Sequence, residues 1–184
     1  MPVSSSHAKV LSLTYVALMA ALMAVCAWIT IPVGPVPFTM QTFAVFSALG
    51  LLGGKRGTLA VGIYLLLGLV GLPVFSGFSA GAGTLLGPTG GYLVGFLASA
   101  LVYWGLTARL GSGRKTMALA MVLGLVVCYA FGTLWFLLVY TGGGSAGTLL
   151  GALTLCVFPY VIPDLVKLAL ALALARRVGK YVRR

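Results

Sequence analysis

The sequence predicts an all-α integral membrane protein, a single domain of six transmembrane helices with both termini in the cytoplasm. Three observations support this. Hydrophobic residues make up 61% of the 184 residues and charged residues only 7%, whereas a soluble domain carries about 25% charged residues. The mean hydropathy is +1.14, more apolar surface than a soluble domain of this size can hide, so a bilayer must solvate most of it. The apolar residues also gather into runs of the length a crossing needs, about 20 residues at about 1.5 Å each.

The spans run roughly 10–31, 38–54, 57–73, 89–109, 116–141 and 147–175. The first follows "MPVSSSHAK" and is longer than the apolar core of a signal peptide. Val25 stands before Cys26, where a cleavable lipoprotein signal needs a small residue, so the run is expected to stay as a helix. The second and third spans are short and are separated by "GGKRG" (53–57), a tight turn. The fourth opens at "PTGGYL" and ends at Arg109. The fifth begins after Arg114 and Lys115 and runs to "GGGSAG" (142–147). The sixth is longer than one crossing requires, and Pro159 and Pro163 interrupt its first half, each removing a backbone donor. If the crossing occupies about the last 20 residues, Asp164 lies in the outer half of the bilayer.

The basic residues fix the orientation. Lys9, Lys55, Arg56, Arg109, Arg114, Lys115, Arg176, Arg177, Lys180, Arg183 and Arg184 all fall before the first span, between the second and third, between the fourth and fifth, or after the sixth. The other connections, "PVGPVP" (32–37), residues 74–88 and "GGGSAG", carry no charge. The positive-inside rule then requires an even number of spans and cytoplasmic termini, and hence a multi-pass protein of the cell membrane.

Composition also excludes function classes. The net charge of +11 is spread over loops and forms no aromatic-interleaved face, so it reads as topology and contact with anionic membrane lipid, with no nucleic-acid partner. The chain has one Asp, no Glu and one His, in the N-terminal tail. It therefore offers no carboxylate pair, no metal site and no Ser-His-Asp triad, and no enzyme or cofactor is expected. Cys26, Cys128 and Cys156 lie far apart in apolar runs as small core hydrophobes. "LGLLGGKRG" fails the phosphate-loop pattern twice, at Leu49 and Arg56, so any pumping energy comes from a partner or a gradient.

Polar groups inside a membrane are costly and mark function. Asp164 and Lys167, three residues apart, share a helix face. They form either an ion pair that fixes the sixth helix or a ligand site with one acceptor and one cation. Gln41 is the only glutamine and the chain has no asparagine. It follows a loop stiffened by three prolines, and its amide can donate and accept at once. On the same outer side, "FSGFSAGAGTLLGPTGGYLVGF" (75–96) alternates small residues with Phe75, Phe78, Leu85, Leu86 and Tyr92, which reads as a packed lid.

Three stretches together, "PVGPVPFTMQTFAV", "LLGPTGGYLVGF" and "PDLVKLALALALA", resemble the BioY family, the biotin-specific substrate-binding (S) components of energy-coupling-factor (ECF) transporters. The resemblance implies capture of biotin from outside. It also implies work with a membrane-embedded coupling subunit and two cytoplasmic ATPases. An Asp carboxylate and an amide or hydroxyl match the ureido N–H and carbonyl groups of biotin. Lys167 is the only cation within the membrane, and it either meets the valerate or orients Asp164. Biotin has about 16 heavy atoms, so nanomolar affinity needs about −0.75 kcal/mol per atom, a demand that only an enclosed pocket meets. Substrate binding is thus expected at Asp164, Lys167, Gln41, Gly90, Gly91 and Tyr92, with the two glycine N–H groups facing the ligand at a helix start. In the first span Ala17, Ala20, Ala21 and Ala24 form two A-x-x-x-A spacings. By the resemblance these meet the coupling subunit; otherwise they pack within the bundle. The rival functions are a stand-alone gradient-driven transporter, with Asp164 as proton carrier, and an S component for another vitamin. ATP-dependent uptake that needs the ATPases separates the first, and ligand mass spectrometry the second.

Overall fold

The computed structural model describes residues 5–140 and 148–182. The loop "GGGSAG", Arg183 and Arg184 lie outside the described residues. The helices are α1 (Ser5–Trp28), α2 (Gln41–Leu52), α3 (Gly54–Leu69), α4 (Gly81–Leu86), α5 (Gly90–Leu110), α6 (Arg114–Val139), α7 (Leu149–Cys156) and α8 (Phe158–Val182). One small hairpin pairs β1 (Thr30–Ile31) with β2 (Phe38–Thr39), antiparallel, Thr30 opposite Thr39 and Ile31 opposite Phe38.

Among the described residues, four helices are long and apolar enough to cross a membrane: α1 from Lys9, α5, α6 and α8. The second and third expected spans form shorter helices, of 12 residues in α2 and 16 in α3. Those lengths rise about 18 and 24 Å, less than the roughly 30 Å hydrocarbon core. Nearly every residue of α2 is buried. A helix enclosed by others need not match the bilayer, because non-helical backbone at membrane depth is tolerated inside protein. Exposed apolar side chains such as Leu18, Val25, Leu66, Leu134, Leu138 and Val166 coat the outside of the molecule, where lipid is the solvent of this multi-pass membrane protein.

The sixth expected span is two helices. Val157 (φ −124°, ψ −60°) breaks the run between α7 and α8. Pro159 falls in the first turn of α8, where its missing N–H leaves no bond unmade, and only Pro163 lies in the interior. The helix then continues to Val182, past the expected end at 175, taking Arg176, Arg177 and Lys180 with it. Cations in the last turns suit the negative end of the helix dipole.

Close backbone approach joins α5 to α6. A Cβ on Gly91 would fall on the indole of Trp135, and one on Gly132 on the ring of Tyr92. Small residues permit this packing where no hydrophobic effect drives helices together. At one end of the bundle Gly53 turns α2 into α3 with φ +83°, and Gly54 lies against Trp104 near the end of α5. Gly50 abuts Ala175 of α8, so the basic turns and the end of α8 lie together. The hairpin, the 70–89 segment and α7 lie at the other end.

The 75–96 segment is packed structure. It forms a single 3-10 turn (Ser76–Phe78) followed by α4. Phe75 is fully buried and meets the Tyr64 ring edge-on at 5.6 Å. Phe78 is exposed yet stacks on Trp28 at 5.1 Å, while Leu86 is exposed. Trp28 donates its indole N–H to the Pro73 carbonyl (2.9 Å), and Trp135 donates its own to Gly87 (3.0 Å).

Candidate functional site

The expected polar residues converge on one cavity. Its walls include Asp164, Lys167, Gln41 and Tyr92, together with Tyr129, Tyr160 and Phe96, and Ser76, Ser79 and Thr84 from the packed segment. The cavity of 140 Å³ would hold roughly ten water molecules, the scale of a small organic ligand. It lies between α2, α5, α6 and α8, with the hairpin and α4 at its mouth.

Asp164 and Lys167 are almost wholly inside the protein, 5% and 4% exposed. Lys167 Nζ donates to Asp164 Oδ1 at 2.8 Å and to the Thr39 carbonyl at 2.6 Å. It also lies 3.7 Å from the centre of the Phe38 ring. Two directed bonds and a ring face surround the ammonium, which ties α8 to the hairpin. The other carboxylate oxygen, Oδ2, accepts from the Tyr129 hydroxyl at 2.6 Å. A carboxylate has about four acceptor positions, so Asp164 keeps capacity for two further donors, and it lines the cavity. The pair is a packed ion pair and a cavity wall at once, because Lys167 is engaged by the fold while Asp164 is only partly used.

Gln41 opens α2. Its Nε2 donates to the Tyr64 hydroxyl, which in turn donates to Val74 O (3.1 Å). Its Oε1 accepts from Thr39 Oγ1 at 3.2 Å. The amide is thereby oriented by the hairpin and α3 and keeps one N–H and one lone pair. Tyr92 lines the cavity with its ring and shares a hydrogen bond with Thr133 (3.1 Å). Tyr160 stacks on Phe38 at 6.2 Å. Its hydroxyl proton is shared between the Val33 and Val36 carbonyls, which precede or flank residues without N–H donors in "PVGPVP".

Gly90 and Gly91 do not stand where the sequence suggested. Neither lines the cavity. The Gly90 N–H is taken by the Gly87 carbonyl at 3.0 Å, and a Cβ there would strike the Leu85 backbone. Both glycines serve close packing, of α4 on α5 and of α5 on α6. The alanine stripe also divides. Ala20 and Ala24 are buried in the bundle, 2% and 6% exposed, whereas Ala17 and Ala21 are exposed. Ala20 and Ala24 are packed inside the bundle, where α1 meets α2 and α3.

Sequence reasoning missed Tyr129, Thr39, Phe38 and Tyr160. Tyr160 stood in "FPYVIPDLVK", one helical turn before Asp164, and that spacing was a usable signal. Tyr129 gave none, being one aromatic ring in the apolar run "VVCYAF".

The sequence profile of the BioY family matches residues 2–184. A Thermotoga maritima protein described as "Biotin transporter BioY" is 44% identical over 160 residues, covering 87% of this chain and 90% of that one. A Pyrococcus horikoshii protein described as "Probable biotin transporter BioY" is 41% identical over 170 residues, covering 92% and 97%. The solved structure of "the S-component for biotin from an ECF-type ABC transporter" superposes with a TM-score of 0.85 at 31% identity, covering 97% of this chain and 95% of that one. With the profile matched from end to end and the fold shared with a solved S component, the chain belongs to the BioY family.

Proposed function

We propose that this protein captures biotin from outside the cell and is the substrate-binding component of an ATP-driven ECF transporter. One observation carries the reading: a buried, oriented carboxylate with unused acceptor capacity faces a ligand-sized cavity. The names of the relatives support biotin as the ligand. Asp164 accepts one ureido N–H group, and the free N–H of Gln41 meets the ureido carbonyl. Tyr92, Phe96, Tyr129 and Tyr160 wall the thiophane ring and the chain. Lys167 positions Asp164 and the hairpin, and the valerate ends elsewhere, at the mouth among Ser76, Ser79 and Thr84.

The path of the chain is six passages in one domain, with α2 and α3 as short inner ones and both termini cytoplasmic. The gathering of basic turns at one end supports that orientation. The partners are a membrane-embedded coupling subunit, which docks on the exposed Ala17 and Ala21 of α1, and cytoplasmic ATPases. The deciding experiment is mass spectrometry of small molecules released from the purified protein, followed by titration calorimetry. Biotin release and saturable one-to-one binding are expected. Another vitamin in the released fraction, with no binding of biotin, would refute the reading.

A further inference from the structure

A second cleft lies at the basic end of the bundle, away from the ligand cavity. Its volume is 370 Å³, and it is lined by Ser112, Arg114, Met117, Ala175, Arg176, Gly179 and Lys180. The rim carries three cations from two elements: Arg114 from the first turn of α6, Arg176 and Lys180 from the last turns of α8. All three are exposed, while Met117, Ala175 and Gly179 are buried and form an apolar floor. Arg176 and Lys180 are four apart on one helix face, an arrangement that repels unless something lies between the charges. No acidic side chain supplies a counter-charge, because the one in the sequence is Asp164, which is engaged by Lys167 and Tyr129.

We propose that this cleft binds the phosphate of an anionic phospholipid, with the cations and the Ser112 hydroxyl around the phosphate and the start of an acyl chain on the apolar floor. A phosphate oxygen set matches guanidinium forks well. The apolar floor distinguishes this place from a site built for free phosphate, and basic pockets between helix ends suit lipid headgroups. The inference rests on the membrane setting and is independent of the identity of the captured ligand.

The test is native mass spectrometry of the full-length protein, titrated separately with phosphatidylglycerol, phosphatidylcholine and inorganic phosphate. Retention of phosphatidylglycerol well above phosphatidylcholine is expected. Each Lys or Arg near an anionic surface contributes about fivefold, so R176Q/K180Q should weaken phosphatidylglycerol binding about 25-fold and R114Q alone about fivefold. Arg177 remains in both variants to hold the orientation. K55Q/R56Q removes the same charge at the same end and should leave binding unchanged. Equal retention of the two lipids, or an equal loss in K55Q/R56Q, would overturn a defined site. Inorganic phosphate that binds alone and displaces phosphatidylglycerol would show free phosphate to be the occupant and overturn the lipid assignment.

Discussion

Breaking the Asp164–Lys167 pair on one side should be far worse for the fold than replacing both partners. Each residue is about one-twentieth exposed, and Lys167 is held at 2.8 Å from Asp164 and 2.6 Å from the Thr39 carbonyl. Asp164→Ala leaves a buried ammonium with one carbonyl and one ring face, and a buried charge stranded in this way costs about 3–5 kcal/mol. In the double variant Asp164→Asn with Lys167→Met no charge is stranded. Asn keeps a hydrogen-bond partner for Tyr129 and Met fills the lysine volume, so the cost should fall to about 1 kcal/mol or less. Ligand binding should follow the opposite logic. One charge-assisted bond from a ureido N–H group at about 1.5–3 kcal/mol amounts to a loss of roughly 10- to 100-fold in affinity, present in the double variant although it folds. The assay pairs thermal unfolding in detergent with biotin calorimetry on parent, both single variants and the double variant. Equal destabilisation in the singles and the double would refute the stranded-charge argument. Parent-like biotin affinity in the folded double variant would return the pair to a purely structural role.

Tyr129→Phe removes the 2.6 Å bond to Asp164 Oδ2. It should weaken biotin binding, because Asp164 loses a bond that orients it, and lower the unfolding temperature by several degrees, since a bond to a charged group contributes about 1.5–3 kcal/mol. An unchanged dissociation constant would remove Tyr129 from the site. Because the Lys167 ammonium is already surrounded, biotinamide should bind within a few-fold of biotin, and a loss of several hundred-fold in calorimetry would instead put the valerate on Lys167. Gly83 in α4 has open space where a Cβ would stand, so Gly83→Ala should stiffen α4 by about 1 kcal/mol and slow biotin release. Gly91→Val meets the Trp135 indole and should lower the unfolding temperature; release faster in the first variant, or full stability in the second, would contradict the packing seen here. On α1, Ala17→Trp and Ala21→Trp should preserve biotin binding and block co-purification of the coupling subunit. Ala20→Trp and Ala24→Trp should fail to fold, and well-folded protein from the last two would mean that the buried side of α1 has been misassigned.

Composition and charge order determined the environment and the helical class of the chain, and they carry the proposal for its sidedness. Hydropathy and positive-inside bias are sums over segments, and they need no knowledge of which segment touches which. The same one-dimensional logic picked out Asp164, Lys167 and Gln41, because a polar side chain in an apolar run stands out without its neighbours. Contacts between distant residues were another matter. Tyr129 reaches Asp164 across 35 residues, Lys167 reaches Thr39 across 128, and Tyr160 reaches Val33 across 127. No spacing rule connects such positions; only the way α2, α6 and α8 pack around the cavity does. Tertiary packing likewise let α2 remain short, since a helix sheathed by others is released from matching the bilayer. It split the alanine stripe by covering one row of α1 and leaving the next row to the membrane. It also gave Gly90 and Gly91 a packing role that the sequence did not show, because the close approach of α4 and α6 to α5 requires positions with no side chain, and glycine supplies that as readily as it supplies a ligand-facing N–H.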